Sequence, residues 1–122
     1  MYIFSFEKLD VWVESKEFTK AIYLATENFP ENEKFGLISQ LRRASISICS
    51  NIAEGSARKT FKDKANFTTI AFGSAVEVLN QLILSYELNF LSEKNYILLR
   101  KQLESITNKL NSLRNYQIDK SI

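Results

Sequence analysis

One cysteine, Cys49, and two carboxylates, Glu54 and Glu77, are the residues of this chain best suited to covalent or acid–base chemistry. A cysteine nucleophile works as its thiolate, and a neighbouring imidazole is the usual means of forming one. The chain has no histidine, which removes that base, the neutral-pH switch and the Glu-x-x-His ligands of di-iron bundles. Ile46, Ile48, Ile52 and Ala53 surround Cys49 with apolar groups, a setting that raises a thiol's pKa, so Cys49 reads as a small packed hydrophobe. Glu54 and Glu77 can each face Arg43 or Arg58, but no nucleophile or metal ligand stands beside them, and such carboxylates are usually structural partners. The remaining acidic residues are scattered, with no EF-hand loop, zinc spacing or phosphate-cradling glycine loop. The expectation is a non-enzymatic protein without cofactor, metal or small-molecule substrate.

Binding chemistry has a better foothold. Between Arg42 and Lys64 lie Arg42, Arg43, Arg58, Lys59, Lys62 and Lys64, opposed only by Glu54 and Asp63. The formal charge of the whole chain is only +2, so this local excess matters more than the total. Arg58, Lys59, Lys62 and Lys64 surround a turn between two helices and are candidates for contact with a phosphate backbone, with Lys101, Arg100 and Lys109 as extensions. The alternative for the same residues is a solvated turn that contributes solubility alone.

The elements that position these groups follow from apolar periodicity. At about 100° per residue, Gly36 to Arg58 forms one helix with three faces. Leu37, Leu41, Ala44, Ile48, Ile52 and Gly55 make a core stripe. Ile46, Cys49 and Ala53, with Arg42 among them, lie roughly opposite, where solvated polar groups are expected. Gln40, Arg43, Ser47, Asn51, Glu54 and Arg58 form a polar ribbon along the third side.

Helices are expected over about 6–28, 33–57, 61–89 and 93–115. Pro30 stops the first, Thr60 with Asp63 opens the third as a capping-box-like start, and Ser92 caps the fourth. The third carries two apolar faces, one through Ala71, Val78 and Leu82 and one through Phe72, Val76, Leu79 and Ile83. The tail after Tyr116 reads as frayed. Short connections give an all-α, antiparallel up-down-up-down bundle in a single domain spanning 1–122. One bundle core occupies about one stripe per helix, so the additional faces of the second and third helices predict a homo-oligomer. The other outcome is a monomer whose middle helices are fully covered.

Composition agrees with this class: three glycines and one proline leave little material for β-turns. The single cysteine cannot form an intrachain disulfide, and no stretch reads as approaching a membrane span or a signal peptide, so the expected location is the cytoplasm.

The run Phe29-Pro30, Glu33, Gly36-Leu37, Gln40, Arg42-Arg43-Ala44, Ser47-Ile48, Asn51-Ile52-Ala53-Glu54-Gly55 and Arg58, continued by Ala71, Gly73-Ser74 and Glu77, closely resembles the signature of the four-helix-bundle proteins encoded in 23S rRNA intervening sequences. An aromatic-Leu-x-Val-Trp opening at Phe6 to Trp12 extends the likeness over nearly the whole chain. That family includes the accessory variability determinant of diversity-generating retroelements. The resemblance implies a ring-like homopentamer, non-enzymatic, with RNA, an RNA–protein complex or a reverse transcriptase as partner. It also places Arg43, Asn51, Glu54 and Glu77 at signature positions, expected to form a buried network that fixes register and subunit geometry. A protein-interaction scaffold without nucleic acid is the competing function.

Overall fold

Leu9 interrupts what the periodicity reads as one continuous first helix. In a computed structural model describing all 122 residues, Ser5–Lys8 form a single 3-10 turn. Leu9 is extended, and α1 runs from Asp10 to Thr26. The bend folds Phe6 back onto Trp12, with their rings edge to face at 5.0 Å. After Phe29 and Pro30 a 3-10 turn, Glu31–Glu33, leads into a π-type turn, Lys34–Ile38. Gly36 leaves helical geometry there (φ −108°, ψ −116°). The Glu33 carboxylate accepts from the Leu37 amide at 3.2 Å, and a Cβ on Gly36 would meet its Oε1 at 2.7 Å. The second helix is therefore shorter than expected: α2 is Ser39–Ser56.

α3 covers Phe61–Glu87, and Thr60 Oγ1 accepts from the Asp63 amide at 3.1 Å. Its end is a Schellman motif with Asn89 in the left-handed region (φ 63°): Phe90 N donates to Ser85 O and Asn89 N to Tyr86 O. α4 runs Glu93–Lys120, with Ser92 Oγ accepting from the Asn95 amide. The tail after Tyr116 is thus helical rather than frayed. Its anchor is Gln117, buried and hydrogen-bonded to Thr68 on α3 at 2.7 Å.

The chain is all-helical, and the four helices pack cyclically in sequence order, α1 closing on α4. Phe18, Ile22, Leu41, Ile48, Val78, Leu82, Leu103, Ile106 and Leu110 are essentially inaccessible and form the centre of the core. Both middle helices use part of their additional faces inside the chain. On α2, Arg42 lies over the Tyr23 ring and bonds Thr26, while Cys49 meets Thr19, so α1 covers this side. On α3, Tyr86 stacks on Tyr96 of α4 at 4.6 Å, and Phe72, Leu79 and Phe90 pack against the core. α3 is also long and apolar enough, by length and composition, to cross a membrane, contrary to the sequence expectation. In this fold its apolar residues divide between the bundle core and an exposed outer side.

Candidate nucleic-acid interface

The turn between α2 and α3 is built from two helix ends. α2 stops at Ser56, and Lys64, one turn into α3, reaches back so that its ammonium donates to Ser56 O at 2.9 Å. A cation there satisfies a carbonyl left without a helical partner and complements the negative end of the helix dipole. Arg58 lies over the Phe67 ring, its guanidinium carbon 4.3 Å from the centroid. Lys59 and Lys62 stand exposed at the tip. None of these four cations is paired with a carboxylate, whereas Lys109 is held by Asp10 and Glu14, Arg43 by Glu77, Arg100 by Glu104, and Lys16 and Lys20 by Glu17. The two carboxylates also raise the Lys109 pKa through their hydrogen bonds.

Lys101 does not join this cluster. The antiparallel pairing of α3 and α4 sets Tyr116 against Phe61, with ring centroids 6.0 Å apart, so Lys101 lies about 22 Å of helix away from that contact. Lys109 and Arg100 are engaged elsewhere, as above. The α4 cation that reaches the basic end is Lys120, its ammonium 5.7 Å from the Tyr116 centroid. It lies in the segment that sequence alone reads as frayed, and the hydrogen-bonding partner that orders it, Gln117, lies there too.

The polar ribbon lies along the α2–α3 groove. Arg43 Nη2 donates to Gln40 Oε1 and to Glu77 Oε2, both at 2.7 Å, and Gln81 Nε2 reaches the same Glu77 oxygen at 3.1 Å. Further along, Ser47 meets Ser74 at 2.8 Å and Asn51 bonds Ser47. These contacts fix helix register, but the arrangement is not the buried network expected: Arg43 and Glu77 side chains are 59% and 37% exposed. Glu54 is exposed with no ion pair, because Arg43 turns toward α3 and Arg58 onto Phe67. Glu54→Ala therefore strands no arginine within the chain. Gln81 is the member sequence reading missed; it is buried, and its Oε1 has no partner.

Ile46 remains 44% exposed and Ala53 half-buried, while Arg42 and Cys49 turn toward α1. Burial pushes the Cys49 thiol up, opposed by its hydrogen bond with Thr19, which keeps it in the unreactive form. No group of three or more Cys, Asp and Glu side chains converges anywhere.

Residues 7–112 match the family model described as 23S rRNA-intervening sequence protein. The chain belongs to this family. A crystal structure of a protein of unknown function from the S23 ribosomal protein family, from Bacteroides thetaiotaomicron VPI-5482, is similar at a TM-score of 0.77 and 26% identity, covering 85% of this chain and 97% of that one. Among curated proteins nothing matches. The matched stretch contains the polar ribbon and the basic turn; Tyr116, Gln117 and Lys120 lie beyond it.

Proposed function

We propose that this chain is a non-enzymatic, homo-oligomeric cytoplasmic module that binds RNA or an RNA–protein complex, such as one containing a reverse transcriptase, through the α2–α3 turn. The observation that carries the reading is the set of unpaired cations there. Arg58, Lys59, Lys62 and Lys64 make no ion pair with a carboxylate, and the first turn of α3 adds the Phe61 and Lys62 amides and the positive end of its dipole, offset in part by Asp63, whose own amide Thr60 caps. Phosphates satisfy such groups without reading sequence. Titration of a structured RNA at several salt concentrations tests this. Affinity should fall with salt at a slope of about 0.9 per phosphate contact for a duplex, and Arg58→Ala, Lys59→Ala and Lys62→Ala should each weaken binding and flatten that slope. Undetectable binding at low salt would overturn the proposal.

Assembly is proposed through the outward sides of α2 and α3, with the family resemblance favouring five copies. Ile46, Ile70 and Val76 are 44%, 51% and 49% exposed there, and a Cβ added at Gly73 would meet nothing within 4 Å. Such a surface invites a second copy. A ring would repeat the basic turn around one rim. Light scattering at micromolar concentration checks the assembly; a monomer would remove it.

One feature favours a protein-interaction scaffold instead. Leu24 on α1 and Leu98 on α4 are 65% and 54% exposed, and they flank a cleft of about 280 Å³ between those helices. Purification with a stoichiometric protein and no nucleic acid would select this second reading.

A further inference from the structure

The end of the bundle that carries the basic turn also carries a cavity of about 280 Å³ between α2, α3, α4 and the N-terminal turn. Leu9, Ile52 and Leu113 give it apolar walls, and Phe61 and Tyr116, both exposed in part, stand edge to face beside its opening. A wall of this kind takes a flat, weakly hydrated ring. Small-molecule pockets usually span about 300–1,000 Å³, so this one suits a single ring system.

Polar recognition inside it comes from Gln117. The residue is only 7% exposed, and its amide meets the Thr68 hydroxyl at 2.7 Å, a hydroxyl whose single hydrogen also has Lys64 O within reach at 3.1 Å. Gln117 lines the cavity, and the end of its amide not engaged with Thr68 has no partner in the protein. One polar end of a buried amide is thus free beside an apolar slot. At the rim, Lys64 uses one of its three donors on Ser56 O, and Lys62 and Arg58 lie on the same turn.

An apolar slot lined in part by two aromatic rings, a buried amide able to read a ring edge, and Lys64 in the lining to meet an anion together describe a nucleotide. We infer that this cavity accepts one nucleobase of a single-stranded segment, its ring against Phe61 or Tyr116, a polar atom on its edge meeting the Gln117 amide, and a flanking phosphate on Lys64, with Lys62 on the same turn for the next. The inference rests on the nucleic-acid reading above and adds a base-reading pocket to it. A surface that contacts phosphates alone would not distinguish a strand with bases from one without.

The experiment compares fluorescence anisotropy of a labelled single-stranded RNA hexamer with an abasic ribose-phosphate hexamer of the same length, at one salt concentration. The wild-type protein should bind the base-bearing strand about tenfold more tightly, the scale of one stacked base. Gln117→Met, close in volume, should lower that ratio while the aromatic rings keep part of it, with the salt slope unchanged, its fold checked by circular dichroism. Lys62→Ala should weaken both strands equally and keep the ratio. Equal binding of the two hexamers by the wild type would overturn the pocket while leaving the phosphate interface standing; binding of neither overturns both. A free mononucleotide that binds as tightly as the hexamer would also overturn the assignment, since it would make the ligand a free nucleotide rather than a strand.

Discussion

Gly55 and Gly73 sit on facing helices of the same pair, and their surroundings are opposite. Gly55, at the end of α2, is buried in the α2–α3 seam, and a Cβ there would meet Phe67 Cβ at 2.8 Å. Gly73, in the middle of α3, is exposed, and a Cβ there would enter open space. Glycine in a helix interior costs roughly 0.5–1 kcal/mol relative to alanine. At Gly55 the chain itself supplies the compensation, a close approach of two helices. At Gly73 nothing in one chain does. The inner side of this helix pair is complete in the monomer, and the outer side, with Ile46, Ile70 and Val76 exposed, has the features of a face that meets something else.

The largest effect is expected at the inner side. Phe67 Cβ lies next to the backbone and cannot swing away as a side-chain tip could, so Gly55→Ala must push α2 and α3 apart. Overpacking of this kind costs about 1–3 kcal/mol, part of which the better helix propensity of alanine offsets. Urea denaturation at fixed protein concentration should show a lower midpoint with an unchanged slope. A midpoint equal to or above wild type would mean the seam is loose and the contrast with Gly73 unfounded.

The inner side was largely legible in the sequence, because burial follows helical periodicity: Leu41, Ala44, Ile48, Ile52 and Gly55 recur at helical spacing and all are buried. Family membership, the four-helix architecture and the Thr60 and Ser92 caps were legible for the same reason, that each rests on local pattern. What stayed hidden depends on pairing between distant segments. Periodicity shows that α2 has a second apolar side but not that Thr19 and Thr26 of α1 cover its Cys49 and Arg42 and leave Ile46 exposed. The expected antiparallel order already implies that Lys101, near the start of α4, lies away from the basic turn, but not that α4 continues to bring Lys120 to it. The order of residues after Tyr116 depends on a Thr68–Gln117 hydrogen bond spanning much of the chain, for which local sequence holds no signal. The Leu9 break escaped because it interrupts an apolar pattern that continues through it.

The border between the two sides carries the next effect. Arg43 and Glu77 bond each other across the groove, yet their removal should be unequal. Arg43→Ala deletes one arm of a partly exposed ion pair, worth about 0.2–1 kcal/mol. Glu77→Ala deletes the same pair and also the partner of Gln81 Nε2, leaving a buried amide whose Oε1 already has no partner with nothing at either end. An unsatisfied buried group costs about 1–3 kcal/mol, so Glu77→Ala should be the more damaging of the two by about 1 kcal/mol. Salt separates the parts: 1 M NaCl should shrink the Arg43→Ala effect by screening and leave most of the Glu77→Ala excess. Equal losses in both variants would show that Gln81 finds another partner and that the border belongs wholly to the exposed side.

The smallest expected effect is at Gly73, and there the sign is what matters. In an isolated chain Gly73→Ala should stabilise by roughly 0.5–1 kcal/mol, because alanine is the better helix residue and the space beside it is open. If the outer face packs closely on a second copy, the same methyl group falls between two subunits, and the gain should be cancelled or reversed. The two cases separate by dilution. A free outer face gives a stability increase that is independent of protein concentration and an unchanged solution mass. A packed face gives a wild-type midpoint that rises with concentration, as expected for linked association, and a variant that has lost mass by light scattering and with it that dependence. A concentration-independent increase would place Gly73 with the solvated surface, and the proposed assembly would lose its structural support on α3.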